Sequence, residues 1–330
     1  MTTAGGLEFV GPDLEPDLRM GLEAVEALLR ASVKSDYPFV TETSAHLLTA
    51  VGKRFRPLVV LLAAQFGDPN APGVVPAAVV VELTHLATLY HDDVQDEADL
   101  RRGAASANAL WGNTVAILTG DFLFARASDI LADLGPEAVR LQARTFERLV
   151  QGQIREAVGP EPGIDAVEHH LRVLRDKTGS LIGTSARFGA MLSGADDDAL
   201  EMLTQYGERI GIAFQLSDDL LDLTAESAEL GKTPGTDLRE GVPTLPVLLL
   251  RRRASSADGL LLALLDGDLD DDDRLAEAVA ALREHPVMDE ARAEVQRWAD
   301  DARESLRLLP DISARRALDA LCDYVVRRTA

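Results

Sequence analysis

Two segments of this sequence carry aspartates at a spacing suited to metal chemistry. In His91-Asp92-Asp93-Val94-Gln95-Asp96, Asp92 and Asp96 are four residues apart, and in Ser217-Asp218-Asp219-Leu220-Leu221-Asp222 the same interval separates Asp218 from Asp222. On a helix that interval puts both carboxylates on one face, where like charges raise one another's pKa or are neutralised by cations. Oxygen-only ligands select a hard divalent ion such as Mg²⁺, which, held by few carboxylates, completes its shell with phosphate and water. Both segments follow strongly apolar stretches. The acidic runs Asp196–Asp198 and Asp270–Asp273 lack that context and read as loops.

Lysine occurs only at Lys34, Lys53, Lys177 and Lys232, so it is not a generic surface charge here. Lys53 sits in Gly52-Lys53-Arg54-Phe55-Arg56-Pro57, Lys177 in Asp176-Lys177-Thr178-Gly179 and Lys232 in Gly231-Lys232-Thr233-Pro234-Gly235. Arg101-Arg102-Gly103 follows the first aspartates by five residues. Cations flanking paired carboxylates suggest phosphate recognition, Arg as a bidentate fork and Lys as a compact point charge. His85 lies seven residues before Asp92, on nearly the same helical face. With Glu82 it forms a Glu-x-x-His pair, but no other histidine has Glu three residues earlier, which argues against a di-iron bundle.

The elements positioning these residues read as helices. Apolar residues recur at three- and four-residue spacing between the Gly/Pro clusters at 67–76, 159–163 and 231–246. Residues 168–187 and 200–223 each read as one helix. The stretch Val74–Leu89 is apolar nearly all round, and its length favours a central helix that others must surround, which implies a bundle of more than four. Alternation flanked by hairpin turns is absent, so no sheet is expected. Because the candidate residues near 53, 92, 177 and 218 must serve one site, residues 1–330 are expected to form one all-α domain, with 1–15 loose. The acidic stretch Asp266–Asp273 is expected as an exposed loop, and two or three amphipathic helices after Leu260.

The composition excludes several classes. The chain has 330 residues, 46% hydrophobic and 27% charged, which suits a globular protein with a large core. A net charge of −22 is the wrong sign for binding nucleic acid or an anionic membrane. Cys322 is the only cysteine, so no intrachain disulfide can form. No transmembrane or signal segment is evident, and a cytoplasmic protein is expected.

Together these motifs resemble the trans-isoprenyl (polyprenyl) diphosphate synthase family. The matching residues are Gly52 to Pro57, His91 to Asp96 through Arg101-Arg102-Gly103, Gly120-Asp121-Phe122-Leu123, Lys177-Thr178-Gly179, Gln215 to Asp222, Gly231-Lys232 through Asp237, and Thr244-Leu245-Pro246, in the family's order. The resemblance implies a helical bundle around a deep cavity, in which an allylic diphosphate is ionised and joined head-to-tail to isopentenyl diphosphate. It implies that Asp92, Asp96 and Asp218 ligate Mg²⁺, three ions in all, with Asp222 assisting. Arg101, Lys177 and Lys232 would hold the allylic diphosphate. Lys53, Arg56, His85 and Arg102 would hold isopentenyl diphosphate, and Thr178 and Gln215 would face the allylic cation. A homodimer is also implied.

Two positions depart from the pattern: Val242 stands where many relatives have lysine, and Val51 replaces a glycine. Short-chain relatives carry aromatic residues at the level of Ala87 and Thr88, roughly 6 to 7.5 Å below Asp92 by helical rise. Here Ala87, Thr88 and Thr84 leave that level open, which predicts a long product of about C30 to C50 for a quinone side chain unless Phe122, Phe124 or Phe146 closes it. The competing readings are a class I terpene cyclase, which would not need Lys53, Arg56 and His85, and a prenyl-binding regulatory subunit, which would not need both aspartate sets.

Overall fold

The structure, a computed structural model, describes residues 7–49, 54–101, 104–224 and 234–328. In chain order the longer elements are α1 (Glu15–Ser32), α2 (Pro38–Thr49), α3 (Phe55–Ala64), α4 (Val74–Gln95), β1 (Leu100–Arg101), β2 (Ala104–Ala105), α5 (Ala107–Trp111), α6 (Asn113–Leu134), α7 (Pro136–Val158), α8 (Ala166–Leu174), α9 (Ser180–Ser193), α10 (Asp197–Thr224), α11 (Thr236–Arg239), α12 (Leu245–Arg253), α13 (Gly259–Leu265), α14 (Asp272–Glu284), α15 (Val287–Ser305) and α16 (Ser313–Arg327). The fold is all-α, as expected. The expectation of no sheet is corrected at one place, where β1 pairs antiparallel with β2. Two residues per strand are too few for alternation to register in sequence.

Contacts divide the chain into two compact units. Unit 1 comprises Met1–Phe146, Leu181–Gly207 and Leu308–Ala320. Its centre is α4, packed mainly on α6 and also on α3 and α1. Ala77 to Val81, Leu83, Leu86 and Ala87 have no exposed surface, which is why the helix is apolar on every side. By length and composition α4 could cross a membrane, but 67% of its apolar window is buried inside the protein, so it is a core helix. Close backbone approach needs glycine on α9: a Cβ on Gly189 would lie 2.2 Å from the Val60 carbonyl oxygen of α3.

Unit 2 comprises Glu147–Ser180, Glu208–Arg307 and Leu321–Ala330. Here α12 packs on α15 and α8, and α14 on α13 and α15. Leu245 to Leu250 of α12 are all buried behind a proline in the first turn, while Arg251, Arg252 and Arg253 occupy the last turn, where cations complement the helix dipole.

Several local expectations change. Residues 168–187 are not one regular helix: Arg175–Gly179 forms a π-helical turn between α8 and α9. Residues 7–15, expected to be loose, are held in place: Leu7 and Leu14 are buried, and Ser313 Oγ donates to Asp13. The acidic runs read as loops are largely helix starts. Asp196 Oδ1 accepts from the Ala199 amide at 2.7 Å with Asp197 and Asp198 in the first turn of α10, and Asp271 Oδ1 caps α14 through the Arg274 amide at 3.0 Å. Carboxylates there satisfy orphan amides and oppose the positive end of the dipole.

Candidate active site

In unit 1 the first aspartate set lies on the end of α4. Asp92 is half-buried in the last turn, and Asp96 is the exposed C-cap residue. Carboxylates at the negative end of a helix dipole are repelled by it as well as by each other, so this end calls for cations. One comes from β1: Arg101 Nε donates to Asp93 Oδ1 at 2.5 Å, and its Nη2 lies 3.9 Å from Asp96 Oδ2. Asp93 itself is fully buried, and that burial pushes its carboxyl pKa up despite Arg101. His85, two turns before Asp92, and Arg56, in the first turn of α3, are half-buried. Lys53, Arg102 and Lys232 lie outside the described residues, as does Val51.

Sequence reasoning overlooked Arg54. Its guanidinium pairs with Glu26 of α1, donates from Nη1 to Glu82 Oε1 of α4 at 3.0 Å and from Nη2 to the Leu48 carbonyl at 2.8 Å. The two carboxylates raise its pKa further against the opposing effect of burial. Arg54 has φ +49°, a left-handed conformation that a non-glycine residue holds only when its surroundings fix it. Glu82, seen in sequence only as part of a rival metal pair, is therefore a buried anchor of Arg54 at the start of α3.

In unit 2, Thr178 Oγ1 donates to Gln215 Oε1 at 3.3 Å, so α10 and the π-helical turn meet at the two residues expected to face a cation. The turn is braced from α7. Arg148 Nε and Arg155 hold the two oxygens of Asp176, Arg148 also pairs with Glu208, and a Cβ on Gly152 would sit 2.8 Å from the Lys177 amide nitrogen. The Lys177 ammonium pairs with Glu156, a carboxylate the sequence gave no reason to single out.

The second aspartate set divides its work. Asp218 is 38% exposed, and its Oδ1 accepts from Arg328 at 2.6 Å; that guanidinium stacks 4.6 Å from the Phe214 ring centroid. Asp222 is buried. Its Oδ2 accepts from the Asp237 amide at 3.1 Å and its carbonyl from the Gly235 amide at 2.8 Å, which ties the chain on either side of residues 225–233. Asp219, also buried, pairs with His170 of α8 at 3.1 Å.

Of the positions expected to govern product length, Ala87 is buried, Thr88 is half-buried, and Thr84 accepts from Gln142 Nε2 at 2.7 Å. Phe124 of α6 packs at a tilt of 59° against Phe146 of α7, ring centroids 4.4 Å apart, and its centroid lies 5.8 Å from that of the His91 ring. Val242, which the resemblance sets where a lysine is expected, is 38% exposed.

Among the described residues no three His, Cys, Asp or Glu side chains converge on a point that a metal ion would fill. The donors available are carboxylate oxygens in pairs, which fits a hard cation that draws its remaining ligands from phosphate and water. Residues 37–282 match the sequence model of the family described as Polyprenyl synthetase. The chain belongs to the polyprenyl synthetase family. It is 48% identical over 328 residues to a nonaprenyl diphosphate synthase of Mycobacterium tuberculosis, covering 99% of this chain and 98% of that one. A dimethylallyltranstransferase of the same organism is 40% identical, over 96% of both chains. The crystal structure of geranylgeranyl pyrophosphate synthase from Corynebacterium glutamicum, complexed with calcium and isoprenyl diphosphate, superposes with a TM-score of 0.87 at 43% identity, covering 98% of this chain and 99% of that one. As a polyprenyl synthetase the chain is an enzyme, a prenyltransferase that condenses isopentenyl diphosphate with an allylic diphosphate.

Proposed function

We propose that the protein is a Mg²⁺-dependent synthase of long all-trans polyprenyl diphosphates, working in the cytoplasm as a homodimer of single-domain subunits. The observation that carries the metal requirement is the aspartate pair at the negative end of α4 with Arg101, bonded to Asp93 and 3.9 Å from Asp96, beside it, a concentration of opposed charge suited to a polyanion and its counter-ion. In this reading Asp92, Asp96 and Asp218 hold three Mg²⁺ ions, and Asp222 contributes by fixing the segment after Lys232. Arg101, Lys177 and Lys232 grip the allylic diphosphate; Lys53, Arg56, His85 and Arg102 grip isopentenyl diphosphate. Bound Mg²⁺ supplies electrostatic stabilisation of the charge that grows on the departing diphosphate.

The allylic C–O bond breaks with its electron pair going to diphosphate. Thr178 and Gln215 present oxygen dipoles to the resulting carbocation, and apolar walls keep water from quenching it. The isopentenyl double bond attacks the cation, and the proton lost in restoring a double bond passes to the released diphosphate. No side-chain nucleophile is needed. Lys177 reaches the substrate by exchanging Glu156 for phosphate oxygens, a swap between anionic partners that leaves its charge compensated throughout.

Purified protein given Mg²⁺, labelled isopentenyl diphosphate and farnesyl diphosphate is expected to incorporate label into linear prenyl diphosphates. No incorporation, or cyclic hydrocarbons as products, would overturn the synthase reading in favour of a regulatory subunit or a cyclase respectively.

The long product rests on small side chains at Ala87, Thr88 and Thr84, and the nonaprenyl synthase at 48% identity supports it. Placing a phenyl ring roughly 7.5 Å below Asp92 by helical rise, in Ala87→Phe, is expected to shorten the main product from about C30 to C50 toward C15 or C20. An unchanged product distribution would show that the limit lies elsewhere, with the Phe124–Phe146 pair as the next position to test.

A further inference from the structure

Each aspartate motif has a middle member to which the reading above gives no role. In an Asp-Asp-x-x-Asp helix the second residue points about 100° from the first and about 60° from the last, at the edge of the face they share. On α4 this separates Asp93, with no exposed surface, from half-buried Asp92 and exposed Asp96. On α10 Asp219 is buried next to 38%-exposed Asp218, and Asp222 is buried too, its carboxylate already taken by the Asp237 amide.

A carboxylate so buried must be compensated, and each finds a different basic partner within its own unit. Asp93 takes Arg101 Nε at 2.5 Å, and its carbonyl accepts the Ala98 amide at 3.0 Å, so side chain and backbone both seat the hairpin that carries Arg101. Asp219 takes His170 Nε2 at 3.1 Å, with both side chains about nine-tenths buried. His170 lies on α8, which leads directly into the π-helical turn bearing Lys177 and Thr178.

We propose that the middle aspartates do not ligate metal but act as positioning residues for diphosphate-gripping segments: Asp93 for Arg101, and Asp219, through His170, for the turn that carries Lys177. This deepens the site reading above and rests on its assignments of Asp92, Asp218, Arg101 and Lys177. It gives the second aspartate of each set a role distinct from that of the first. The neutral isostere keeps the shape of either bond while removing its charge assistance, and a charge-assisted bond contributes about 1.5–3 kcal/mol, equivalent to a factor of about ten or more.

The test separates metal affinity from substrate grip. Mn²⁺ binding in the presence of inorganic diphosphate is followed by electron paramagnetic resonance, without turnover, alongside the KM of the allylic primer. Asp93→Asn, Asp219→Asn and His170→Gln are expected to keep Mn²⁺ affinity within about twofold and to raise that KM about tenfold, with a smaller change in kcat. Loss of folded protein would instead scale activity down without this split. Because Asp93 acts through Arg101, the double variant Asp93→Asn/Arg101→Gln is expected to be no worse than Arg101→Gln alone. Loss of Mn²⁺ binding in Asp93→Asn equal to that in Asp92→Asn would make Asp93 a ligand and overturn the proposal. An unchanged primer KM, or additive effects in the double variant, would overturn it as well. If Asp92→Asn itself binds Mn²⁺ normally, the site reading fails first, and the proposal with it.

Discussion

Asp92→Asn and Asp218→Asn are each expected to lower kcat/KM for chain elongation by roughly a hundred- to a thousandfold. A metal at the leaving diphosphate supplies several kcal/mol of charge stabilisation. Every 1.36 kcal/mol is a factor of ten in rate, so losing part of that stabilisation gives a loss of this size. Neither replacement should unfold the protein, because Asp92 is half-buried and Asp218 is 38% exposed, so a neutral amide stays solvated. Raising Mg²⁺ should recover part of the Asp92→Asn activity, because a weakened site can still be filled by mass action. Asp197→Asn and Asp272→Asn serve as controls. Those residues lie in the first turns of α10 and α14, and their loss should cost a small helix-end interaction and, for Asp272, a surface pair with Arg239, together no more than about 1 kcal/mol. Initial rates with labelled isopentenyl diphosphate over a Mg²⁺ titration measure all four. Near-normal elongation by either Asp92→Asn or Asp218→Asn would remove the basis for metal-assisted ionisation at that aspartate.

The second large effect is on stability. Glu82→Ala is expected to cost about 1.5–3 kcal/mol, because it removes one charged hydrogen-bond partner from a buried guanidinium whose remaining contacts are Glu26 and one carbonyl. That is a sizeable share of the 5–15 kcal/mol by which a typical domain is stable. Side-chain exposures of 10% for Arg54 and 3% for Glu82 exclude solvent rescue. The exposed pair Arg19–Glu15 sets the contrast, since its loss should change stability by no more than about 1 kcal/mol. Urea unfolding followed by circular dichroism compares the two, and equal midpoints would show that the Arg54 cluster does not hold unit 1 together. Replacing all three charges, in Glu26→Leu/Arg54→Met/Glu82→Leu, should recover much of the loss, since no buried charge of the cluster is then left alone. That variant should still bind isopentenyl diphosphate poorly if Lys53 and Arg56 hold it as proposed, because they flank the strained residue that Glu82 pins.

Legibility followed the range of the interactions. The central helix could be read because Val74 to Leu89 is apolar on every side, and only a buried helix of that length accounts for it. The paired aspartates could be read because i, i+4 is a local relation. The π-helical turn could not, since one extra residue per turn leaves the apolar stripes on either side intact and shifts only their phase. Arg54 and Glu82 were missed because they are 28 residues apart on different elements, and no local pattern joins them. Asp196 and Asp271 carried a signal that was passed over: an aspartate ahead of an amphipathic run marks a helix start as readily as a loop. Thr178 and Gln215 were named from resemblance, and their 3.3 Å contact is information only the folded chain holds.

The clip formed by Asp222 on Gly235 and Asp237 governs how freely the intervening stretch can vary. Because one residue holds both points, an amide at position 222, a weaker acceptor than a carboxylate, would loosen the Asp237 contact while the Gly235 bond, made by the backbone carbonyl, stays in place. Such a change would be felt at the entry to α11 before it is felt in α10.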